Sequence, residues 1–225
     1  MINRRDIIKV FDDIAEDFDR TRKRVWKSIE DAAPFNESII LDLGAGNGRN
    51  SKYMVNKGAK QIIAVDISIN MLNKLLLNLN EKEKEIIDII RCDALYLPFK
   101  SLIFDKVVFI ATIHHIPTKE ARIKSLEEVY RVLKKNGLLL ITAWSRFQFR
   151  FLRKIPTMIK MYLKGYEFGD IFVPWKNKMR FYHLFTLREL KSLVKKVGFI
   201  IEKAYGEKVN SRIFAENCVV VARKK

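Results

Sequence analysis

The chain has 225 residues, 48% of them hydrophobic, and its 43 basic and 26 acidic side chains give a net charge of +17. This length and apolar content predict one α/β domain over residues 1–225. The charge indicates a polyanionic partner, nucleic acid or an anionic membrane surface, with solvated surface lysine as the alternative. Cys92 and Cys218 lie in apolar runs, which predicts buried thiols rather than a disulfide or a metal site of the chain's own.

Two classes of protein are excluded by the distribution of apolar residues. No apolar run reaches the roughly 18 residues that a membrane-spanning helix needs. The first 20 residues mix Arg4 and Arg5 with five aspartates, which is unlike a secretory signal. We therefore expect a cytoplasmic protein.

The first 34 residues predict a helical cap that precedes the sheet. Apolar residues recur at intervals of three and four over residues 4–28, the spacing of one broken helix or of two helices. Pro34 ends this region.

Strands and helices then alternate along the chain. Buried strands are predicted at 39–43, 61–65, 86–91, 104–110 and 138–143, and helices at 51–57, 68–85 and 118–133. Thr186 and Glu189 form a capping box for a helix that ends at Gly198. Two last strands, 199–204 and 218–222, suit an antiparallel edge. The alternation predicts a mostly parallel sheet with helices on both faces and ligands at the carboxyl ends of the strands.

Residues 145–185 form an insertion that is longer than a simple connection between elements. From Arg146 to Arg180 it holds nine Lys or Arg against only Glu167 and Asp170. Aromatic residues are interleaved with these basic residues. The composition suits an RNA loop, whose bases stack on rings while its phosphates meet basic side chains, so we assign substrate binding to this insertion.

A glycine turn follows the first strand. The dinucleotide-binding fingerprint requires its third glycine at position 49, which is Arg49, whereas here the glycines are 44, 46 and 48, preceded by Asp42. This Asp-x-Gly-x-Gly-x-Gly pattern resembles the first motif of the class I S-adenosylmethionine-dependent methyltransferases. The resemblance implies a Rossmann-like fold with a seven-stranded, mostly parallel sheet and an antiparallel edge strand.

The same resemblance implies S-adenosylmethionine as the cofactor. Asp42 would hold its α-amino group, Asp66 at the end of the second strand would accept the ribose hydroxyls, and Asp93 after the third strand would meet the adenine amino group. The predicted cofactor site consists of Asp42, Gly44, Ala45, Gly46, Asn47, Gly48, Asp66, Ile67, Asp93, Ala94, Ile110 and Ala111.

The residues after the fourth strand indicate which chemical group accepts the methyl group. Residues 110–117 lack the Asn/Asp-Pro-Pro-aromatic sequence of enzymes that methylate exocyclic amines, and neither cysteine is suitably placed for C5 methylation of a pyrimidine. A carboxylate acceptor needs no base, only cationic and hydrogen-bonding groups that hold it. The candidates for that role are Arg22, His114, His115, Arg180, Tyr182 and His183, with a structural pair at a strand end as the alternative for the two adjacent histidines.

Two further segments indicate one family more specifically than the glycine turn does. Residues 170–175 contain Val-Pro-Trp, and residues 180–183 read Arg-Phe-Tyr-His. With residues 11–26 and 111–115, they resemble the tRNA wobble-uridine carboxymethyl methyltransferase family over nearly the whole chain; Phe181 departs from the family's usual Tyr. The resemblance implies RNA binding, esterification of a carboxymethyl group or a related side chain on wobble uridine 34, and heterodimer formation with a small zinc-binding activator protein. That partner would cover the third strand, at the sheet edge, although a covering helix is equally compatible.

Two other functions remain open from the sequence. One is a small-molecule or lipid-quinone methyltransferase whose basic segment, residues 146–166, lies on an anionic membrane. The other is a non-catalytic scaffold that binds the cofactor. We favour the tRNA methyltransferase, with no membrane contact.

Overall fold

The computed structural model describes residues 3–209 and 211–225. Nine strands are found in this part of the chain: β1 (Ile39–Leu43), β2 (Gln61–Asp66), β3 (Ile87–Arg91), β4 (Phe104–Ile110), β5 (Leu133–Trp144), β6 (Asp170–Trp175), β7 (Lys178–His183), β8 (Ile200–Glu207) and β9 (Asn217–Arg223). Seven of them form one sheet in the order β3-β2-β1-β4-β5-β9-β8, and β6 and β7 form a separate hairpin.

The main sheet confirms the predicted Rossmann-like class I fold. Strands β1 to β5 pair in parallel, and β9 pairs in the antiparallel direction with both β5 and β8. The antiparallel pairing therefore lies at this edge, as predicted, with the reversed strand itself one position in from the edge. At the opposite edge, β3 pairs only with β2 among the described strands.

Helices cover both faces of the sheet. They are α1 (Arg4–Thr21), α2 (Arg49–Asn56), α3 (Ile69–Asn78), α4 (Glu81–Ile86), α5 (Lys119–Val132), α6 (Phe149–Leu152), α7 (Ile155–Tyr162) and α8 (Leu187–Lys196), with 3₁₀ helices at Lys27–Ala32 and Ile113–His115. Alternate residues of β1 enter two cores, because side chains along a strand point to opposite faces. Ile40 packs on the side of α2 and α3, and Leu41 on the side of α5 and α8.

Besides shifts of one to three residues at other ends, three elements differ from the sequence prediction. The predicted helix 68–85 is two helices, because Asn80 caps a new helix at Glu81 through reciprocal hydrogen bonds with Glu83. Strand β5 begins at Leu133 rather than Leu138, after a register shift beside β4. The N-terminal cap is one α-helix followed by a 3₁₀ helix.

The N-terminal helix and the insertion meet above the carboxyl edge of the sheet. Helix α1 packs on α3 and on β7. Its residue Asp12 accepts hydrogen bonds from Ser68 Oγ and the Asn70 amide, and Asp17 accepts one from Trp175 Nε1 at 2.9 Å. These contacts place α1 and the β6–β7 hairpin over the strand ends that carry the glycine turn.

In the part of the chain that the structure describes, every helix is too short or too polar to traverse a bilayer.

Candidate active site

An open cleft of about 1220 Å³ lies at the carboxyl ends of β1, β2 and β4, beneath α1 and the β6–β7 hairpin. Most of the predicted site residues line it: Arg22, Gly44, Ala45, Gly46, Asn47, Asp66, Ile67, Asp93, Ala94, Ile110, Ala111, His114, His115, Arg180 and Tyr182. The remaining three predicted residues, Asp42, Gly48 and His183, do not line it. The cleft has the position expected of a ligand site in this class of fold.

The glycine turn forms the floor of the cleft. The amides of Gly44 and Ala45 both donate to the carbonyl of Val65, which ties the turn to the end of β2. Gly44 and Gly48 have φ angles of +78° and +80° and lie against Thr112 and Leu75, where a Cβ would overlap the neighbouring side chain. The tight packing and the left-handed backbone together require glycine at both positions.

Asp66 braces this turn from the neighbouring strand. One carboxylate oxygen accepts the Gly46 amide at 2.9 Å and the other accepts the Ser68 amide at 2.9 Å. Burial raises the pKa of Asp66, while these backbone donors act in the opposite direction. Each carboxylate oxygen keeps a lone pair that can accept from a ligand hydroxyl in the cleft.

Asp42 lies behind the turn instead of in the cleft wall, which corrects the expectation that it contacts the cofactor's amino group. Its carboxylate is 1% exposed and accepts the Ser51 hydroxyl at 2.6 Å. Burial raises its pKa to about 6, against the opposing effect of Ser51. Asp42 thus anchors the start of α2 beneath the turn. Gly48, the residue before α2, also lies behind the turn and packs on Leu75.

At the far end of the cleft, Asp93 follows β3. It is paired with Arg4 of α1, and its Oδ1 also accepts the Leu95 amide at 2.9 Å. The first turn of α1 therefore closes this end of the cleft.

Two arginines on the acceptor side stack on one tryptophan. The guanidinium carbons of Arg22 and Arg180 lie 4.5 Å and 4.2 Å from the ring centre of Trp175. Arg180 is only 6% exposed, and its Nε is a buried donor without an acceptor in the described structure. Burial lowers the pKa of Arg180, yet a guanidinium stays charged in proteins. An uncompensated, largely buried cation that lines a cleft is a receptor for an anion.

His114, His115 and Tyr182 stand beside this cation. His114 Nδ1 accepts the Trp144 amide at 3.2 Å, which leaves its proton on Nε2, and His115 Nδ1 donates to the Phe181 carbonyl at 2.9 Å. Burial lowers the pKa of His114 far below its usual value and that of His115 to about 3. Burial also raises the pKa of Tyr182 to about 12. All three side chains are therefore neutral near pH 7, and neither histidine has the pKa of a general base.

His183 is corrected from a substrate contact to a structural residue. Its ring is 1% exposed, and its two nitrogens bind Asp170 at 2.6 Å and Glu189 at 2.7 Å. Burial lowers the pKa of His183, but the two carboxylates outweigh burial and the net direction is upward. The residue joins the β6–β7 hairpin to α8, so both of its hydrogen-bonding groups are used within the fold.

The family model of a methyltransferase domain matches residues 41–141, which include the glycine turn, Asp66 and Asp93. The chain contains a class I S-adenosylmethionine-dependent methyltransferase domain. Its cofactor is S-adenosylmethionine.

Two relatives of this methyltransferase carry the same name. A tRNA (carboxymethyluridine(34)-5-O)-methyltransferase of Xenopus tropicalis is 28% identical over 96% of this chain, and the match covers 41% of that protein. One of Schizosaccharomyces pombe is 29% identical, with 88% of this chain and 90% of that protein covered. The methyltransferase chain thus spans less than half of the first relative and most of the second.

Solved structures share the fold of the methyltransferase. A methyltransferase of Methanosarcina mazei superposes with a TM-score of 0.75 at 21% identity, covering 89% of this chain and 98% of that one. A methyltransferase of Haloferax volcanii, solved in complex with the Trm112 methyltransferase activator, has a TM-score of 0.69 at 13% identity, with 96% of each chain covered. At these identities the likeness shows the fold alone.

The residues of the methyltransferase cleft fit the cofactor. A Cβ at Gly46 would point toward Phe18, 3.5 Å away, so glycine leaves room between the turn and α1. Asn50 Oδ1 is a buried acceptor without a donor in the described structure, and Asn50 lines the cleft. It is thus available to an ammonium group such as the one on the methionine part of the cofactor.

Several cleft residues of the methyltransferase escaped sequence reasoning: Arg4, Ile7, Phe11, Trp26, Arg49, Asn50, Thr112 and Trp144. The apolar residues of α1 have ordinary helical spacing, and that pattern does not tell a core from a cleft. Arg49 had a local signal, because it directly follows the last glycine of the turn. Trp144 had another, since it ends the fifth strand of a parallel sheet.

Proposed function

We propose that the chain transfers the methyl group of S-adenosylmethionine to a carboxylate, that of a carboxymethyl or related side chain on wobble uridine 34 of tRNA. One observation carries the proposal: the acceptor side of the cleft holds a buried guanidinium, Arg180, whose Nε has no acceptor in the described structure, beside neutral hydrogen-bonding groups. The described residues that line this side include no carboxylate.

The arrangement fits an acceptor that is already an anion. S-adenosylmethionine, when bound, supplies a methyl group on a positively charged sulfur. A carboxylate is ionised at pH 7 and needs no proton removed, which agrees with histidines whose pKa values are far below 7. Arg180 would receive one carboxylate oxygen and the Tyr182 hydroxyl would donate to it, which holds the other oxygen toward the cofactor.

His114 and His115 have different parts in this proposal. His114 keeps a proton on Nε2 and can donate to the acceptor, whereas His115 Nε2 is free to accept. His115 can therefore bind an N–H or O–H group of the nucleotide. Arg22, stacked on Trp175, adds a second positive charge at the mouth of the cleft.

Support for tRNA comes from charge and from the relatives. The net charge of +17 and the basic insertion favour a polyanion. Two relatives are named tRNA (carboxymethyluridine(34)-5-O)-methyltransferases. A nucleic-acid substrate and a carboxylate acceptor together account for the cations on the surface and those in the cleft.

A small zinc-binding activator is the proposed partner. Strand β3 lies at the sheet edge, so one of its sides can accept another strand. Leu76 and Leu77 of the adjacent helix α3 are 50% and 75% exposed. The Haloferax methyltransferase of the same fold was solved with the Trm112 methyltransferase activator, and it supports this partner by analogy of fold.

The experiment is mass spectrometry of wobble nucleosides. Transfer RNA that carries carboxymethyluridine is incubated with the protein and S-adenosylmethionine, with and without a Trm112-type activator. We expect the carboxymethyl nucleoside to gain the mass of one methyl group as an ester that mild alkali removes. A methyl group that resists alkali would place the reaction on another atom. No product in the presence of the activator would reject the substrate.

A further inference from the structure

A row of rings and guanidinium groups leads from the acceptor side of the cleft to the protein surface. It starts at Trp144 in the cleft wall. The guanidinium carbon of Arg150 lies 4.4 Å from the Trp144 ring centre, and Arg150 is carried by the short helix α6. Further out, Arg153 lies 5.5 Å from the ring centre of Phe149.

The outer end of this row is an aromatic shelf made by Phe147, Phe149 and Phe214. Phe147 and Phe149 are 53% and 58% exposed. Phe149 is 6.0 Å from Phe214 of the β8–β9 loop, with the two rings tilted by 34°. In contrast, Phe151 of the same helix is buried in a core cluster. An apolar core thus lies beside the shelf, yet Phe147 and Phe149 remain exposed to solvent. Exposed rings next to an available core mark the shelf as a binding surface.

The segment that carries the shelf is basic. Residues 146–154 include four basic residues and no acidic one. Arg146 is engaged by Glu189 and by carbonyl groups. Arg150 lies against the Trp144 ring, donates to Gln148 Oε1 at 2.8 Å and interacts electrostatically with Glu216, whereas Arg153 lies against the Phe149 ring. The β8–β9 loop adds Lys208 and Arg212 against the one carboxylate of Glu216, so the surroundings of the shelf are positive on balance.

Rings that alternate with guanidinium groups are the pattern of a single-stranded nucleic-acid site, where bases stack on rings and phosphates meet arginine. Membrane insertion favours a continuous apolar face, and a protein partner favours a core of the patch with few charges. The row also begins in the cleft, so an extended strand could follow it from there.

We propose that the aromatic shelf stacks bases of the RNA next to the acceptor nucleotide, while Arg150 and Arg153 hold the phosphates between them. This inference rests on the proposed tRNA substrate, and it adds where the flanking nucleotides lie. It makes the shelf a second point of attachment, outside the cleft, that acts on affinity for the RNA chain and not on the cofactor.

The test is binding of a fluorescent anticodon stem–loop, measured by anisotropy with the full chain and without turnover. Phe149→Ala should raise the Kd about tenfold, since stacking on one ring contributes about that much, and Phe149→Trp should restore it. Tyr96→Ala is the matched control, because Tyr96 is 69% exposed and lies outside the insertion. It should leave the Kd unchanged, and S-adenosylmethionine affinity should be the same in all four proteins.

Salt dependence separates the two kinds of contact. Arg153→Gln should lower the slope of log Kd against log salt by about 0.7, the value for one phosphate contact on a single strand. Phe149→Ala should weaken binding without a change in slope, because stacking releases no counterions. If the two variants lower the slope equally, the rings do not stack on bases.

Other outcomes identify which proposal fails. If Phe149→Ala binds the stem–loop as the wild type does, or if the wild type does not bind it, the shelf is not an RNA site. Loss of sedimentation with phosphatidylserine vesicles in Phe149→Ala, with RNA binding intact, would assign the shelf to lipid. Stem–loop binding that depends on Phe149, but with no methyl ester formed, would retain the shelf and reject the proposed reaction.

Discussion

The two sides of the cleft are built in different ways. The cofactor side is built at the ends of β1 and β2, where the Gly44 amide donates to the Val65 carbonyl and the Gly46 amide to the Asp66 carboxylate. The acceptor side is made from long side chains that come from α1, from the segment after β4 and from the β6–β7 hairpin. The first is fixed by local geometry, and the second by contacts between distant parts of the chain.

This difference separates what the fold class has in common from what is particular to this chain. Backbone at strand ends gives the same shape in every member of the class, so it suits a cofactor that all of them share. Side chains on an insertion can change without disturbing the sheet, so they suit an acceptor that differs from one enzyme to another. Substitutions on the two sides should accordingly affect different measurements.

The largest effect is expected from Gly44→Ala on the cofactor side. An added Cβ would overlap Thr112, and the residue has φ +78°. Overpacking together with a left-handed alanine should lower the free energy of unfolding by about 3 kcal/mol. Gly46→Ala is the control, since its φ is also positive but its Cβ meets only Phe18 at 3.5 Å. Urea unfolding should show the larger loss for Gly44→Ala; equal losses would mean that the Thr112 contact relaxes freely.

Arg180→Ala is the corresponding change on the acceptor side. Loss of a charge-assisted contact to the acceptor carboxylate should reduce kcat/KM about a hundredfold, with cofactor affinity unchanged by calorimetry. Arg180→Lys should recover only part of the activity, because lysine keeps the charge but not the planar fork that stacks on Trp175. An equal fall in cofactor affinity would show that Arg180 belongs to the other side of the cleft.

The cofactor side could be predicted from the sequence because its residues are close together along the chain or follow consecutive strands. The spacing of glycines 44, 46 and 48, with Asp66 and Asp93 at later strand ends, was enough to indicate the turn and its ligand. Sequence could not tell that Asp42 faces Ser51 beneath the turn. A residue at the end of a buried strand can point to either face, and the choice depends on the register of the turn.

The acceptor side was only partly predictable. The motif that contains Arg180, Tyr182 and His183 indicated the right hairpin, but alternation along β7 sends neighbouring residues to different environments. His183 points to Asp170 and Glu189, away from the cleft. Helix α1 forms the roof because of its hydrogen bonds to residues 56 and 158 positions further along the chain, which no local pattern reveals.

A smaller effect, on the affinity for S-adenosylmethionine, should distinguish Asp66 from Asp42. Asp66→Asn offers one acceptor to two backbone donors, the amides of Gly46 and Ser68, which should weaken S-adenosylmethionine binding about tenfold. Asp42→Asn can still accept from Ser51 and does not line the cleft, so calorimetry should show less than about a twofold change. Similar losses in both variants would mean that Asp42 reaches the cofactor after all.

The smallest effect concerns pH and His183. The carboxylates of Asp170 and Glu189 outweigh burial and raise the pKa of His183, so the folded state holds its proton more tightly than the unfolded chain, where histidine titrates near 6.5. Its stabilising contribution is complete below about pH 6.5 and is lost as the pH rises through the folded-state pKa. His114 and His115, whose pKa values are lowered, contribute in the opposite direction, since their stability is lost as the pH falls below about 6.5.

In the wild type, the contribution of His183 to the free energy of unfolding falls with rising pH, while those of His114 and His115 rise. His183→Gln removes only the falling contribution. The free energy of unfolding of the variant should rise more steeply with pH than that of the wild type. Urea unfolding from about pH 5.5 to about pH 8.5 measures this, with the difference between the two proteins largest at low pH and shrinking above about pH 6.5. The contributions of Asp42 and His115 are common to both proteins and cancel in that difference, and that of His114 changes little, because His183 is the smallest of the causes that lower its pKa. A difference that grows with pH would mean that His183 is neutral between its two carboxylates, and the link between the hairpin and α8 would then be an ordinary hydrogen bond rather than an ionic one.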